Sequence, residues 1–148
     1  MDHQEWKQRS NEEYSDNCRR DRISHEEIVR SRRSTVYSKN KMAFKFENLK
    51  VWQISLDIAD EVDLLAQNFP QHELYSLPSQ MRRAANSISL NIVEGSTGLS
   101  NAEFRRFLVI ANRSALEVVG CLFLAHRRSY INNDKFAALY SKIETLVK

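Results

Sequence analysis

Three glycines (Gly95, Gly98, Gly120) and two prolines (Pro70, Pro78) in 148 residues leave this chain little choice but helix. Turn-dense β architectures need glycine or proline at most reversals, and phosphate-binding loops need clustered glycines. Five such residues supply neither. What remains is long unbroken stretches interrupted at a few places, which is the pattern of helices joined by short turns.

The chain changes character at Met42. Residues 1–41 hold nine apolar side chains, and ten Lys/Arg stand against eight Asp/Glu with no period among them. Such a segment cannot bury enough surface to offset its conformational entropy, so it reads as a mostly disordered extension. Ser24-His25-Glu26-Glu27 is a local exception, a capping box opening a short helix through about Arg33. Arg19, Arg20, Arg22, Arg30, Arg32 and Arg33 are spaced to grip phosphate, but the interleaved acids favour a solvated tail. A start codon placed upstream of the true one, Met42, is an equal explanation for these residues.

Residues 42–148 read as an all-α, up-down-up-down antiparallel four-helix bundle. The first helix spans about 47–67, with Leu49, Trp52, Leu56, Ala59 and Ala66 in one stripe. Val51, Ile54, Ile58, Val62 and Leu65 form a second stripe, leaving a narrow acidic strip of Asp57, Asp60 and Glu61, with Asp63 nearby. Asn68-Phe69-Pro70 stops it. The second helix, 77–94, starts at Pro78, buries Leu77, Met81, Ala84, Ala85, Ile88 and Ile92, and ends at Gly95 as a left-handed cap. The third, 101–129, opens with the capping box Ser100-Asn101-Ala102-Glu103 and turns Phe104, Phe107, Leu108, Ala111, Ala115, Val118, Leu122 and Ala125 to the core. Asn132-Asn133-Asp134 caps the fourth, 133–148, striped by Phe136, Leu139, Tyr140, Ile143, Leu146 and Val147.

The third helix carries more apolar surface than one core uses. Ala102, Val109, Leu116 and Phe123 repeat every seven residues on a face away from the core stripe, and Leu90 and Val93 likewise point off the core of the second helix. A helix apolar on two faces is buried on both, which predicts an oligomer interface of Leu90, Val93, Val109, Leu116 and Phe123. The plainer alternative is a wide core face with a few exposed leucines. Asn91, Glu94, Ser114 and Glu117 are placed to make polar contacts between helices two and three, and there the expected role is structural.

Catalytic candidates fail one by one. His25-Glu26-Glu27-Ile28-Val29 begins like a helical zinc motif but has valine where the second histidine belongs. His72 and His126 lack a neighbour at ligand spacing, so no metal and no cofactor are expected. Gly95-Ser96-Thr97-Gly98 has no phosphate-loop lysine, and Ser114 with Glu117 one turn on has no histidine base. Asn112-Arg113-Ser114 fits a glycosylation pattern but falls in mid-helix. Cys18 and Cys121 are far apart without metal or redox spacing, which fits a reducing, cytoplasmic setting. The chain has no run of eighteen consecutive apolar residues and no signal-peptide core at its start, so no membrane association is expected.

Charge is more informative in its distribution than in its sum of +3. From Arg82 onward ten Lys/Arg face five Asp/Glu, whereas the first helix is acidic. Reflection about the turns sets Arg82 and Arg83 near Glu61 and sets Arg113 beside Arg82, so these three are expected to meet the strip Asp57, Asp60, Glu61. Arg105, Arg106, Arg127 and Arg128 meet no such cluster. Together with Arg83 they are the candidates for contact with nucleic-acid backbone.

Phe46-Glu47-Asn48-Leu49-Lys50-Val51-Trp52, then Phe69-Pro70, Glu73, Leu77 and Gln80 to Ala85, and above all Ser87-Ile88-Ser89-Leu90-Asn91-Ile92-Val93-Glu94-Gly95 stand in a recognisable order. With Phe104-Arg105-Arg106-Phe107-Leu108, Ser114 and Glu117, they make residues 44–148 resemble the 23S rRNA intervening-sequence proteins. The resemblance implies a small bacterial four-helix bundle that assembles as a homopentamer around a central channel. Accessory variability proteins of diversity-generating retroelements look like relatives, which implies RNA or a nucleoprotein such as a reverse transcriptase as partner. The fourth helix stops earlier than in similar proteins. The expectation is a non-enzymatic homo-oligomer contacting RNA or a nucleoprotein through its arginines, with a protein–protein adaptor as the alternative.

Overall fold

The structure is a computed structural model and describes residues 44–70, 76–98 and 100–148. The expected helix from Ser24, the early arginine cluster, the His25 motif, Cys18, His72 and Glu73 lie outside them. Among the described residues there are four long helices and no strand. Helix α1 is Lys50–Gln67, α2 Leu77–Ser96, α3 Asn101–Arg127 and α4 Asn133–Val147, with one 3-10 turn, Lys45–Asn48, ahead of α1.

Each helix packs on two neighbours, α1 on α2 and α4, and α3 on α2 and α4, so α1 and α3 stand at opposite corners of the bundle. This is the up-down-up-down arrangement that short connections between amphipathic helices produce. The core is the set of side chains repeating at three and four: Ile58 and Val62 from α1, Met81, Ile88 and Ile92 from α2, Val118 and Leu122 from α3, Leu139 and Ile143 from α4. All are buried, and each fully buried aliphatic side chain contributes about 1.5–3 kcal/mol.

The helix ends follow local chemistry. Ser100 accepts the Glu103 N–H at 3.2 Å and Asn132 accepts the Lys135 N–H at 3.0 Å, which satisfies first-turn donors of α3 and α4. Pro78 occupies the first turn of α2, where no helical N–H is required. Helix α1 begins at Lys50 rather than 47, because Leu49 is extended and the preceding residues close a 3-10 turn. Helix α3 ends at Arg127, two residues short of expectation. Ser129 there adopts φ 59, and Tyr130 N–H returns to the Ala125 carbonyl.

Gly95 corrects the sequence reading. No described glycine has positive φ, and α2 runs through Gly95 to Ser96. Its role is close approach. A Cβ there would lie 2.6 Å from Phe107 Cβ and 2.9 Å from Phe104 Cδ2.

Helix α4 has 15 residues against 27 in α3, about 22 Å against 40 Å. It flanks the C-terminal half of α3, where Val118, Leu122 and Ala125 are fully buried. At the other end Phe104, Phe107 and Leu108, expected in the core, are only half-buried. There the Lys45–Asn48 turn packs on α1 and α2 instead. Phe46 meets Trp52 edge-on at 4.9 Å, and Glu47 accepts the Phe44 N–H.

Candidate functional site: the outer face of α3 and its arginines

At about 100° per residue, the buried positions of α3 (Ala111, Ala115, Val118, Leu122, Ala125) define one side of the helix. Directly opposite lie Ala102, Val109, Leu116, Gly120 and Phe123. All five are exposed, Leu116 at 58% and Phe123 at 49%. Leu124 and, from α4, Tyr140 and Val147 extend the patch. The fourth-helix stripe is thereby corrected: Leu139 and Ile143 enter the core, while Tyr140 and Val147 stay outside. Phe123, Phe136 and Tyr140 form an aromatic cluster with centroids 5.0–6.1 Å apart. His126 joins it, 5.0 Å from Phe136 and hydrogen-bonded to Asn133 at 2.7 Å.

This second face makes α3 long and apolar enough, by length and composition alone, to cross a bilayer, although only a third of the apolar stretch is buried within the bundle. Gly120 sits in its middle with open space above it. A mid-helix glycine costs about 1 kcal/mol relative to alanine. Leu90, 64% exposed, lies on α2 away from this face, and Val93 is half-buried. The five apolar candidates therefore fall on two surfaces.

The arginines do not converge. Arg105 and Arg127 border the apolar face, Arg106 and Arg128 lie further round, and Arg83 is exposed on α2. Arg105 and Arg127 are separated by 22 positions, about 33 Å of helix. The acidic strip is also rearranged. Arg82 bonds Asp63, Nε to Oδ1 at 2.7 Å, and Lys142 from α4 pairs with Glu61. Arg113 is not beside Arg82. The Ser87–Ser114 hydrogen bond sets Arg113 level with Ile88, more than a turn away. The α2–α3 register is therefore offset from simple reflection about their connection.

The polar contacts between α2 and α3 form a chain with different members. Asn91 Nδ2 donates to the Ser87 carbonyl at 2.7 Å and to Ser87 Oγ at 3.0 Å. Ser87 Oγ meets Ser114 Oγ at 2.9 Å, and Ser114 Oγ donates to the Ile110 carbonyl at 3.2 Å. Glu117 stands apart from this chain but does join α3 to α2 as expected, accepting from Gln80 at 3.0 Å. Glu94 is exposed, and its carbonyl accepts the Thr97 hydroxyl. Ser87 and Gln80 were named from sequence only within the family motifs, not as interhelical contacts, though Ser87 and Asn91 stand at i, i+4. Asn112 Oδ1 is buried and has no hydrogen-bond partner among the described residues.

No group of three His, Cys, Asp or Glu that could hold a metal occurs among the described residues. Cys121 is buried, and burial first, with the nearby Glu117 carboxylate second, pushes its thiol up from its ordinary range. An open cleft of about 220 Å³ between Lys45, Phe46, Leu49, Ser96 and Phe104 lacks an acid–base pair.

Residues 47–148 match the family described as 23S rRNA-intervening sequence protein. A crystal structure of a protein of unknown function from the S23 ribosomal protein family of Bacteroides thetaiotaomicron VPI-5482 is similar, with TM-score 0.61 and 26% identity over 66% of this chain and 91% of that one. No curated protein matches. With the fold, the ordered motifs and a match over two thirds of its length, this chain belongs to the 23S rRNA-intervening sequence protein family.

Proposed function

We propose that this protein acts without catalysis, as a cytoplasmic self-associating bundle, a homopentamer by family resemblance, that contacts RNA or a nucleoprotein such as a reverse transcriptase through arginines. The observation that carries the reading is the outer face of α3, apolar through its centre and bordered by Arg105 and Arg127 near its ends. An exposed apolar stripe opposite the core is what a helix–helix interface between copies uses. Within one copy the arginines are too far apart to make a single patch. Repetition around an assembly turns Arg83, Arg106 and Arg128 into belts, and phosphate contacts then add.

The test is binding of the full chain to large-subunit rRNA fragments at increasing salt. Affinity that falls by orders of magnitude between about 50 and 200 mM salt, and that Arg83→Glu with Arg106→Glu weakens further, supports the reading. Absence of binding at low salt overturns the RNA contact. A second reading, a protein–protein adaptor without nucleic-acid binding, is favoured by the breadth of exposed apolar surface from Leu116 to Tyr140. It expects assembly to persist with no RNA bound at any salt.

A further inference from the structure

At the end of the bundle that α4 does not reach, Phe44-Lys45-Phe46 alternates aromatic and basic side chains. Phe44 is 62% exposed, and its ring lies nearly parallel to that of Phe46, with 13° between planes and 5.7 Å between centroids. Phe46 is anchored in turn by Trp52, edge-on at 4.9 Å. A water-facing ring laid flat on a second, anchored ring is a stacking platform rather than part of a core.

Phe46 also lines the open cleft of about 220 Å³, together with Lys45, Ser96, Ser100, Asn101 and Phe104. A cavity of about 150 Å³ holds benzene, so this one has room for a single heterocyclic base and little more. Phe46 and Phe104 supply apolar walls, and the polar groups are of both kinds. Ser96 Oγ donates to the Val93 carbonyl at 2.6 Å and keeps its lone pairs to accept. Ser100 Oγ accepts the Glu103 N–H at 3.2 Å and keeps its O–H to donate, and the exposed Asn101 amide can do both. Lys45 is exposed and pairs with no acid among the described residues. The carboxylate on the same turn, Glu47, accepts the Phe44 N–H and does not line the cleft.

We propose that this cleft binds single-stranded RNA: an unpaired base enters against Phe46 and Phe104, the adjacent base stacks on the exposed ring of Phe44, and Lys45 meets the phosphate between them. The inference rests on the RNA contact proposed above and names the form of RNA that makes it. A base within a duplex is stacked on both faces and paired at its edge, so it does not enter. Arginines hold the backbone of either form, while stacking selects the opened strand with little regard to its sequence.

The experiment follows a fluorescein-labelled RNA strand of about sixteen nucleotides, alone or paired with its complement, by anisotropy with the full chain at about 50 mM salt. Phe44→Ala raises the dissociation constant for the single strand about tenfold, leaves that for the duplex within about twofold, and Phe44→Tyr restores single-strand binding. Circular dichroism checks that Phe44→Ala keeps its helices. Lys45→Ala lowers the slope of log Kd against log salt for the single strand by about 0.7. In a Trp6→Phe chain, where Trp52 is the one tryptophan, the single strand quenches its emission and the duplex does not. A Phe44→Ala chain that binds the single strand as tightly as the unmodified one, or loses both forms alike, overturns the cleft and leaves RNA binding standing. So does an unmodified chain that binds only the duplex. An unmodified chain that binds neither form at low salt overturns the RNA contact itself and this site with it.

Discussion

Gly95 of α2 lies so close beneath Phe107 of α3 that an added Cβ would sit 2.6 Å from the Phe107 Cβ. Because a Cβ is fixed to the backbone, no rotamer change relieves the contact, and the two helices would have to part. Gly95→Ala gains about 1 kcal/mol of helix propensity and loses more to overpacking, typically 1–3 kcal/mol and more where backbone must shift. The expected outcome is a net loss of about 1–2 kcal/mol, seen as a lower midpoint in urea unfolding monitored by circular dichroism. An unchanged or raised midpoint would refute the close approach.

Gly120 gives the opposite sign. It is helical and exposed, with nothing within 4 Å of where a Cβ would point. Gly120→Ala therefore stabilises the isolated bundle by about 1 kcal/mol, measured at a protein concentration low enough to keep copies apart. Two glycines of identical chemistry, one against an aromatic side chain and one open, move stability in opposite directions.

The pair Ser87 and Ser114 is suited to a double-mutant cycle. Their hydroxyls meet at 2.9 Å, with Asn91 donating to Ser87 from the other side. Ser87→Ala and Ser114→Ala each cost about 1 kcal/mol, and the double variant costs less than their sum by about 0.5–1 kcal/mol. Strict additivity in unfolding experiments would mean that the hydroxyls do not couple.

The helices were legible in the sequence because the core residues repeat at three and four, and the stripe Ile58, Val62, Leu65 or Val118, Leu122, Ala125 has no other use. Caps at Ser100 and Asn132 were legible for the same reason: a short side-chain oxygen before an apolar run has one common role. Gly95 was not, since a left-handed end and a close helix contact both call for glycine and only neighbours from another helix tell them apart. Register was legible between α1 and α2, where reflection sets Arg82 near Glu61 and the structure pairs it with Asp63, but not between α2 and α3, where Arg113 falls level with Ile88 rather than with Arg82. Tyr140 was read as core from its spacing, but α4 is turned so that Tyr140 joins Phe123 and Phe136 outside. The heptad of Val109, Leu116 and Phe123 was legible as a second face, and in the structure all three are exposed.

Cys121 supplies a pH-dependent prediction. Burial raises its thiol above the ordinary 9.0, with the Glu117 carboxylate adding to the effect. The sign follows from linkage: the folded state holds the thiol proton more tightly than the unfolded chain does. The stabilisation is fully present below the unfolded value near 9.0 and is lost as pH rises through the higher folded value. The expected outcome, with Cys18→Ser so that a single thiol remains, is slow alkylation by iodoacetamide at pH 8 in the native protein. Reaction becomes fast once urea unfolds the bundle. In the same variant the urea midpoint falls as pH rises above 9.0, and Cys121→Ala reduces that fall. A native thiol that alkylates as fast as the unfolded one would show that position 121 is open to solvent.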